Sequence, residues 1–298
     1  MNEYKDTIIV TVFQIPHEGE FLDLFDRKLY MRYLEPEKQL EQLREMMAVA
    51  SQENADFAVL PEFYLPHACI RKIEDIAQRY EIIIISGLDY RPQNLLINSK
   101  TLVNEAVVTI PYYNRKYREK ALTKKGKCGR PYTYFIPKLN AAPKEIITMA
   151  NDGYRLADGH ELYVFHSKFL GSWAVLVCYD FLNLPVQKLL QGKIQTLFVV
   201  SYNQDVDAFA AIADTVERLL LCNVVVCNTG CYGSSLAFSP YRKRHKRYAL
   251  KVVGNHVKTA VTVKLPMKEL IDIQSRQRDF LIKEDEGEFL KRPPYFGF

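Results

Sequence analysis

The sequence predicts an α/β protein whose sheets are not purely parallel, and three observations carry that reading. Apolar runs of strand length alternate with helix-length amphipathic stretches through much of the chain. Near the C-terminus, three strand-like runs follow one another at hairpin spacing with no helix between them, which a purely parallel sheet does not allow. The 298 residues, 48% hydrophobic and 25% charged, supply material for one large core, so neither disorder nor a collagen-like repeat fits. No repeat or low-complexity linker divides the chain, and a single domain over 1–298 is the expected organisation.

In order, TIIVTVF (7–13) reads as a buried strand, and 36–52 carries Leu40, Leu43, Met46, Met47, Val49 and Ala50 at helical spacing. ADFAVLPEF (55–63) is a strand stopped by Pro61. A helix over 70–79 precedes EIIIISG (81–87), whose four isoleucines ending at Gly87 suit a strand covered on both faces. The same order returns with SWAVLVCYD (172–180), a helix near 185–190, TLFVVSY (196–202), a long helix over 205–222 and NVVVCNT (223–229). SSLAFS, YALKVVG and HVKTAVTVKL are the closely spaced strands, ahead of a helix over 266–277 and an irregular tail.

The net charge of +5 is unevenly spread. Between 111 and 131 there are eight Lys or Arg against Glu119 alone, and YRKRHKRY (241–248) adds five more with no acid. All of the basic excess therefore sits in two short segments. Tyrosines 112, 113, 117, 132 and 134 interleave the first, which reads as a basic insertion over 111–134, too long for a passive connection. Arg115, Lys116, Arg118, Lys124, Lys125, Arg242, Lys243 and Arg244 are candidate contacts to an anionic partner, nucleic acid included. A solvated loop and a solvated edge strand are the alternative reading.

No apolar run approaches the roughly 18 residues of a membrane span, and the opening segment, with Glu3, Lys5 and Asp6, is unlike a signal peptide. The expected address is the cytoplasm, away from membranes. Six cysteines, at 69, 128, 178, 222, 227 and 231, are too sparse for a disulfide scaffold and are expected to be reduced. His67 with Cys69, and Cys227 and Cys231 with His245, lack the paired spacing of a zinc site. There is no Gly-rich phosphate loop either. Neither a metal nor a cofactor is expected.

Three reactive residues follow strand-like runs. Pro61 cannot pair in a central strand, so Glu62 falls where the chain leaves the sheet. The run 174–177 leads directly into Cys178, Tyr179 and Asp180, and Lys138 follows Phe135, Ile136 and another Pro. Ligand sites in α/β sheets lie beyond the carboxyl ends of strands.

These motifs resemble those of the nitrilase, or carbon-nitrogen hydrolase, superfamily. VLPEF is similar to its Pro-Glu motif; Lys138, Leu139 and Glu145 resemble its Lys motif; VLVCYD resembles its Cys motif. The tail KRPPYF and the helix leading into NVVVCNTGCYGSS extend the likeness over most of the chain. Two departures fall near the pocket: Val186 follows Pro185 where the family often has an acid, and the basic insertion precedes the Lys motif.

The resemblance implies a four-layer αββα sandwich with two mixed sheets and a catalytic set of Glu62, Lys138 and Cys178, with Glu145 orienting Lys138 or the substrate. Cys178 would be the nucleophile and Glu62 the general base, while the charge of Lys138 favours the thiolate. Lys138 and the backbone N–H of Tyr179 would stabilise the oxyanion. The implied reaction is hydrolysis of a non-peptide C–N bond in a linear amide or N-carbamoyl compound. A nitrilase, an amide-forming acyl transferase, and a nucleic-acid or protein-binding module on the same scaffold are the alternatives. The family's habit of dimerising implies a homodimer through 70–79 and 185–190.

Overall fold

In the computed structural model, residues 4–17, 36–94, 100–112, 129–275 and 288–290 are described. The N-terminal half contributes β1 (Thr7–Gln14), α1 (Pro36–Gln52), β2 (Phe57–Val59), α2 (Ile70–Tyr80), β3 (Ile83–Gly87), β4 (Arg91–Pro92), β5 (Thr101–Val103), β6 (Glu105–Ile110) and β7 (Tyr132–Pro137). Then come α3 (Pro143–Asn151), β8 (Arg155–Leu156), β9 (Val164–Ser167), β10 (Gly171–Val177), α4 (Leu184–Leu190), β11 (Thr196–Ser201) and α5 (Val206–Leu220). The last elements are β12 (Asn223–Asn228), β13 (Ser235–Phe238), α6 (Arg244–Arg247), β14 (Tyr248–Val252), β15 (Thr259–Pro266) and α7 (Lys268–Ser275).

Two six-stranded sheets form the frame, ordered β15-β1-β2-β3-β6-β7 and β14-β13-β12-β11-β10-β9. In each, three central strands run parallel and are flanked by antiparallel neighbours. The sheets meet face to face. Ile8, Val10, Val12, Phe57, Val59, Ile83 and Ile85 of one share a core with Trp173, Phe198, Val199 and Val225 of the other. Phe57 stands edge-on to Trp173 at 5.3 Å and packs against Phe198 at 4.9 Å between ring centroids, the geometry aromatic pairs prefer. Leu40, Leu43 and Met47 of α1 and Ile73, Ile76 and Ala77 of α2 cover the first sheet with Ala58, Ile84 and Val107. Val186 and Leu190 of α4 and Phe209, Ala213, Val216 and Leu220 of α5 cover the second. The order helix, sheet, sheet, helix is the expected sandwich.

Three local readings are corrected. Residues 132–134 belong to β7, so the irregular stretch ends earlier than 134. β7 is an edge strand with few buried side chains, held by its ladder to β6, and it has little apolar pattern to reveal it. The basic run 241–248 forms the short helix α6 before β14 begins, in place of an edge strand throughout. The last helix starts at Lys268, because Pro266 still pairs with Thr7 at the end of β15. Among the described residues no helix is long and apolar enough to cross a membrane.

Candidate active site

β2 stops at Val59 because Pro61 lacks an N–H for the ladder. Pro61 offers its carbonyl to the N–H of Gly87 at 2.9 Å, and Tyr64 and Leu65 both donate to the Gly87 carbonyl at 3.0 Å. The two chains approach so closely that a Cβ on Gly87 would lie 2.3 Å from the Glu62 Cα. Only glycine fits there. Glu62 is thereby turned inward, 1% exposed, with Phe63 next to it in the left-handed region at φ 61°.

Lys138 arrives from β7, whose last residue is Pro137, and its backbone N–H reaches the Asn104 carbonyl at 2.9 Å. The ammonium lies 2.9 Å from Glu62 Oε1 and 2.7 Å from Glu145 Oε2. Glu145 occupies the first turn of α3 behind Pro143 and accepts the N–H of Ala142 at 3.1 Å, so it caps the helix while it holds the lysine. Cys178 follows β10 directly and opens a turn of 3₁₀ helix over Cys178–Leu182. Its φ of 46° is a left-handed backbone on a residue with a side chain, a strain of about 1–3 kcal/mol that the packing sustains. The Tyr202 N–H, just past β11, donates to Glu62 Oε2 at 3.0 Å.

The electrostatics follow from burial around one cation. Burial opposes the Lys138 charge, yet Glu62 and Glu145 outweigh it and hold the ammonium protonated far above the ordinary lysine range. Burial likewise opposes ionisation of Glu145, but Lys138 and hydrogen bonds from Tyr90 and Asn104 keep its carboxyl low. The thiol behaves otherwise: burial, then the charge of Glu62, push Cys178 well above its ordinary value, and Lys138 offsets only part of this. The expected pull of Lys138 toward the thiolate is present, but burial outweighs it. Desolvation exceeds the pull of a cation already shared by two carboxylates, so the buried sulfur is held as a thiol.

Glu62, Lys138, Glu145 and Cys178 are thus brought together, with the thiol in the electrostatic field of the other three. Several partners carried no signal in sequence. Asn104, buried between β5 and β6, donates to Glu62 Oε1 at 2.9 Å and Glu145 Oε1 at 2.8 Å. Tyr90 donates to Glu145 Oε1 at 2.5 Å. Asp180 accepts the N–H groups of Leu139 at 2.8 Å and Asn140 at 2.7 Å, tying the lysine segment to the cysteine turn. Burial pushes the Asp180 carboxyl up to about 6.

The basic candidates fall elsewhere. Arg115, Lys116, Arg118, Lys124 and Lys125 lie outside the described residues. Lys243 and Arg244 are exposed at α6, while Arg242 donates to the Phe289 carbonyl. Lys246 pairs with Glu288 and Arg247 with Asp214, so much of this run is tied into the fold. Cys69, Cys178, Cys222, Cys227 and Cys231 are free thiols. Among the described residues no group of three or more His, Cys, Asp and Glu side chains is arranged to hold a metal ion.

The chain has the four-layer fold of the nitrilase-superfamily amidases. The amidase from Nesterenkonia sp. superimposes with a TM-score of 0.63 at 13% identity, over 93% of this chain and 96% of that one. An alanine-for-cysteine mutant of the Nesterenkonia AN1 amidase from the nitrilase superfamily gives 0.63 at 13% identity, covering 90% and 95%. A glutamine-for-glutamate mutant of the same amidase, with the acetamide moiety of fluoroacetamide added covalently at its active site cysteine, gives 0.63 at 13% over 93% and 96%. By sequence, neither a family model nor a curated protein matches.

Proposed function

We propose that the chain is a thiol-dependent hydrolase of non-peptide C–N bonds, acting on a linear amide or N-carbamoyl compound. The observation that carries this reading is the Lys138 ammonium held between Glu62 and Glu145 beside a cysteine at a strained strand end.

Because the thiol is protonated at rest, attack on the substrate carbonyl requires its proton to leave as the C–S bond forms. Glu62, whose charge acts on the thiol, is the base. The oxyanion of the tetrahedral intermediate is met by the Tyr179 N–H and by Lys138, which has three N–H donors and uses two on carboxylates. Each such donor contributes about 3–4 kcal/mol. Collapse breaks the C–N bond, and Glu62 returns the proton to the leaving amine, giving a Cys178 thioester. Water, deprotonated by Glu62, then releases the acid and restores the thiol.

The mutant of the Nesterenkonia amidase with a covalent acetamide group at its cysteine supports this reading by analogy of fold. The exposed Leu184 and Leu189 of α4 and Leu219 of α5 support self-association through that helical layer. Release of ammonia or amine from a panel of aliphatic amides, N-carbamoyl amino acids and nitriles tests the reaction class. Turnover of amides or carbamoyl compounds by wild type but not by Cys178→Ala supports the proposal; turnover of nitriles alone overturns it.

A further inference from the structure

His17 lies just beyond β1 and reaches the site from behind. Its ring is buried, with Nδ1 2.9 Å from Thr229 Oγ1 and Nε2 2.9 Å from the backbone carbonyl of Glu62. It stands edge-on to Tyr202 at 5.0 Å and to Tyr64 at 5.8 Å between centroids. The segment carrying it is pinned to the second sheet, where Gly230 donates to the Ile15 carbonyl at 2.8 Å.

The hydrogen bonds fix the tautomer. A backbone carbonyl only accepts, so Nε2 carries the proton. Burial lowers the ring to about 4, so at neutral pH it is uncharged and Nδ1 has a lone pair. The Thr229 hydroxyl therefore donates to Nδ1, and its oxygen accepts the Cys231 N–H at 3.2 Å. One directed chain runs from Cys231 through Thr229 and His17 to the Glu62 peptide.

We propose that His17 is a positioning residue for Glu62, fixing its peptide between the two sheets so that the carboxylate stays aimed at Lys138 and the Cys178 thiol. Three features call for such a support. Phe63, the next residue, holds a left-handed φ that the turn alone disfavours. The Glu62 carboxylate serves Lys138, Asn104 and Tyr202 at once, so a small displacement of its Cα breaks several contacts together. Tyr202 supplies the N–H at Glu62 Oε2, and its ring packs on His17, so one side chain sets both partners. Reacting groups displaced by about 1 Å lose rate by orders of magnitude.

This inference rests on the general-base role of Glu62, and the test separates the two. Iodoacetamide is reacted with the protein between pH 5 and 9, and the adduct on Cys178 is followed by intact mass against a Cys178→Ala background. Sulfur displaces iodide and the thiol proton passes to Glu62. Wild type is expected to alkylate at Cys178 below pH 7, Glu62→Gln is not, and His17→Leu is expected to react about tenfold more slowly there. His17→Gln, which keeps an N–H donor at the reach of Nε2, is expected to recover most of the rate. Thr229→Val, which removes the donor to Nδ1, is expected to slow it about threefold, and it decides the matter should His17→Leu not fold. Wild-type profiles in both Thr229→Val and a folded His17→Leu, or no recovery in His17→Gln, overturn the role of His17. A wild-type Cys178 that alkylates only above pH 8, or equally well in Glu62→Gln, overturns the Glu62 reading itself.

Discussion

The backbone N–H of Tyr202 lies 3.0 Å from Glu62 Oε2, joining the end of β11 in one sheet to the residue after β2 in the other. That main-chain donor holds the carboxylate in place from the opposite sheet. Glu62 and Cys178 follow strands of different sheets, so their meeting requires the assembled sandwich.

The ammonium of Lys138 is buried with two carboxylates, and such clusters stabilise only while complete. Removing the cation in Lys138→Met leaves Glu62 and Glu145 facing one another without compensation. Chemical denaturation is expected to show a loss of about 3–5 kcal/mol at neutral pH, together with loss of turnover.

Gly87 is a steric requirement of Glu62. In Gly87→Ala the added methyl meets the Glu62 Cα and the Phe63 N at 2.3 and 2.5 Å, both backbone atoms that cannot swing aside. A destabilisation of about 1–3 kcal/mol or more is expected. Activity should fall further than the unfolded fraction explains, measured as kcat at a temperature where the variant remains folded.

Glu217 on α5 is fully buried, and neither of its carboxylate oxygens has a hydrogen-bond partner among the described residues. Burial pushes its carboxyl up to about 8 from 4.5, with Asp214 adding to the effect and Arg218 opposing it. The folded state therefore retains a proton that the unfolded chain has released. Its contribution is complete below 4.5 and is lost as pH rises through 8, with a slope of up to about 1.4 kcal/mol per pH unit. Glu217→Gln should flatten this decline in thermal denaturation between pH 5 and 8; an unchanged slope contradicts it.

Asp180 is expected to act through the lysine segment. Asp180→Ala removes the acceptor for the N–H groups of Leu139 and Asn140 and loosens the join between Lys138 and the cysteine turn. Leaving two partly buried donors unsatisfied costs about 1–3 kcal/mol each. Turnover is expected to drop at saturating substrate, a fall in kcat more than a rise in KM.

The sequence made the strand-end residues visible because backbone chemistry marks them. Pro61 and Pro137 stop strands one residue before Glu62 and Lys138, and an unbroken apolar run stops at Cys178. The central strands were equally legible, since burial on both faces writes itself as continuous Val, Ile and Leu. Asn104, Tyr90, Tyr202 and His17 were not legible. Each acts through one polar atom meeting a distant residue, and neither periodicity nor spacing encodes such a meeting. β6 was missed although Ala106, Val107 and Val108 form a continuous apolar run after Glu105, which is buried and paired with Arg91 at 2.6 Å. The pull of Lys138 on the Cys178 thiol was legible as a neighbouring cation, whereas the depth of burial that opposes it was not.

The most direct test is intact mass spectrometry after incubation with fluoroacetamide. The account predicts one acetamide moiety on the wild-type chain, mapping to Cys178, and none on Cys178→Ala. Modification spread over Cys69, Cys222, Cys227 and Cys231 with Cys178 untouched would contradict it.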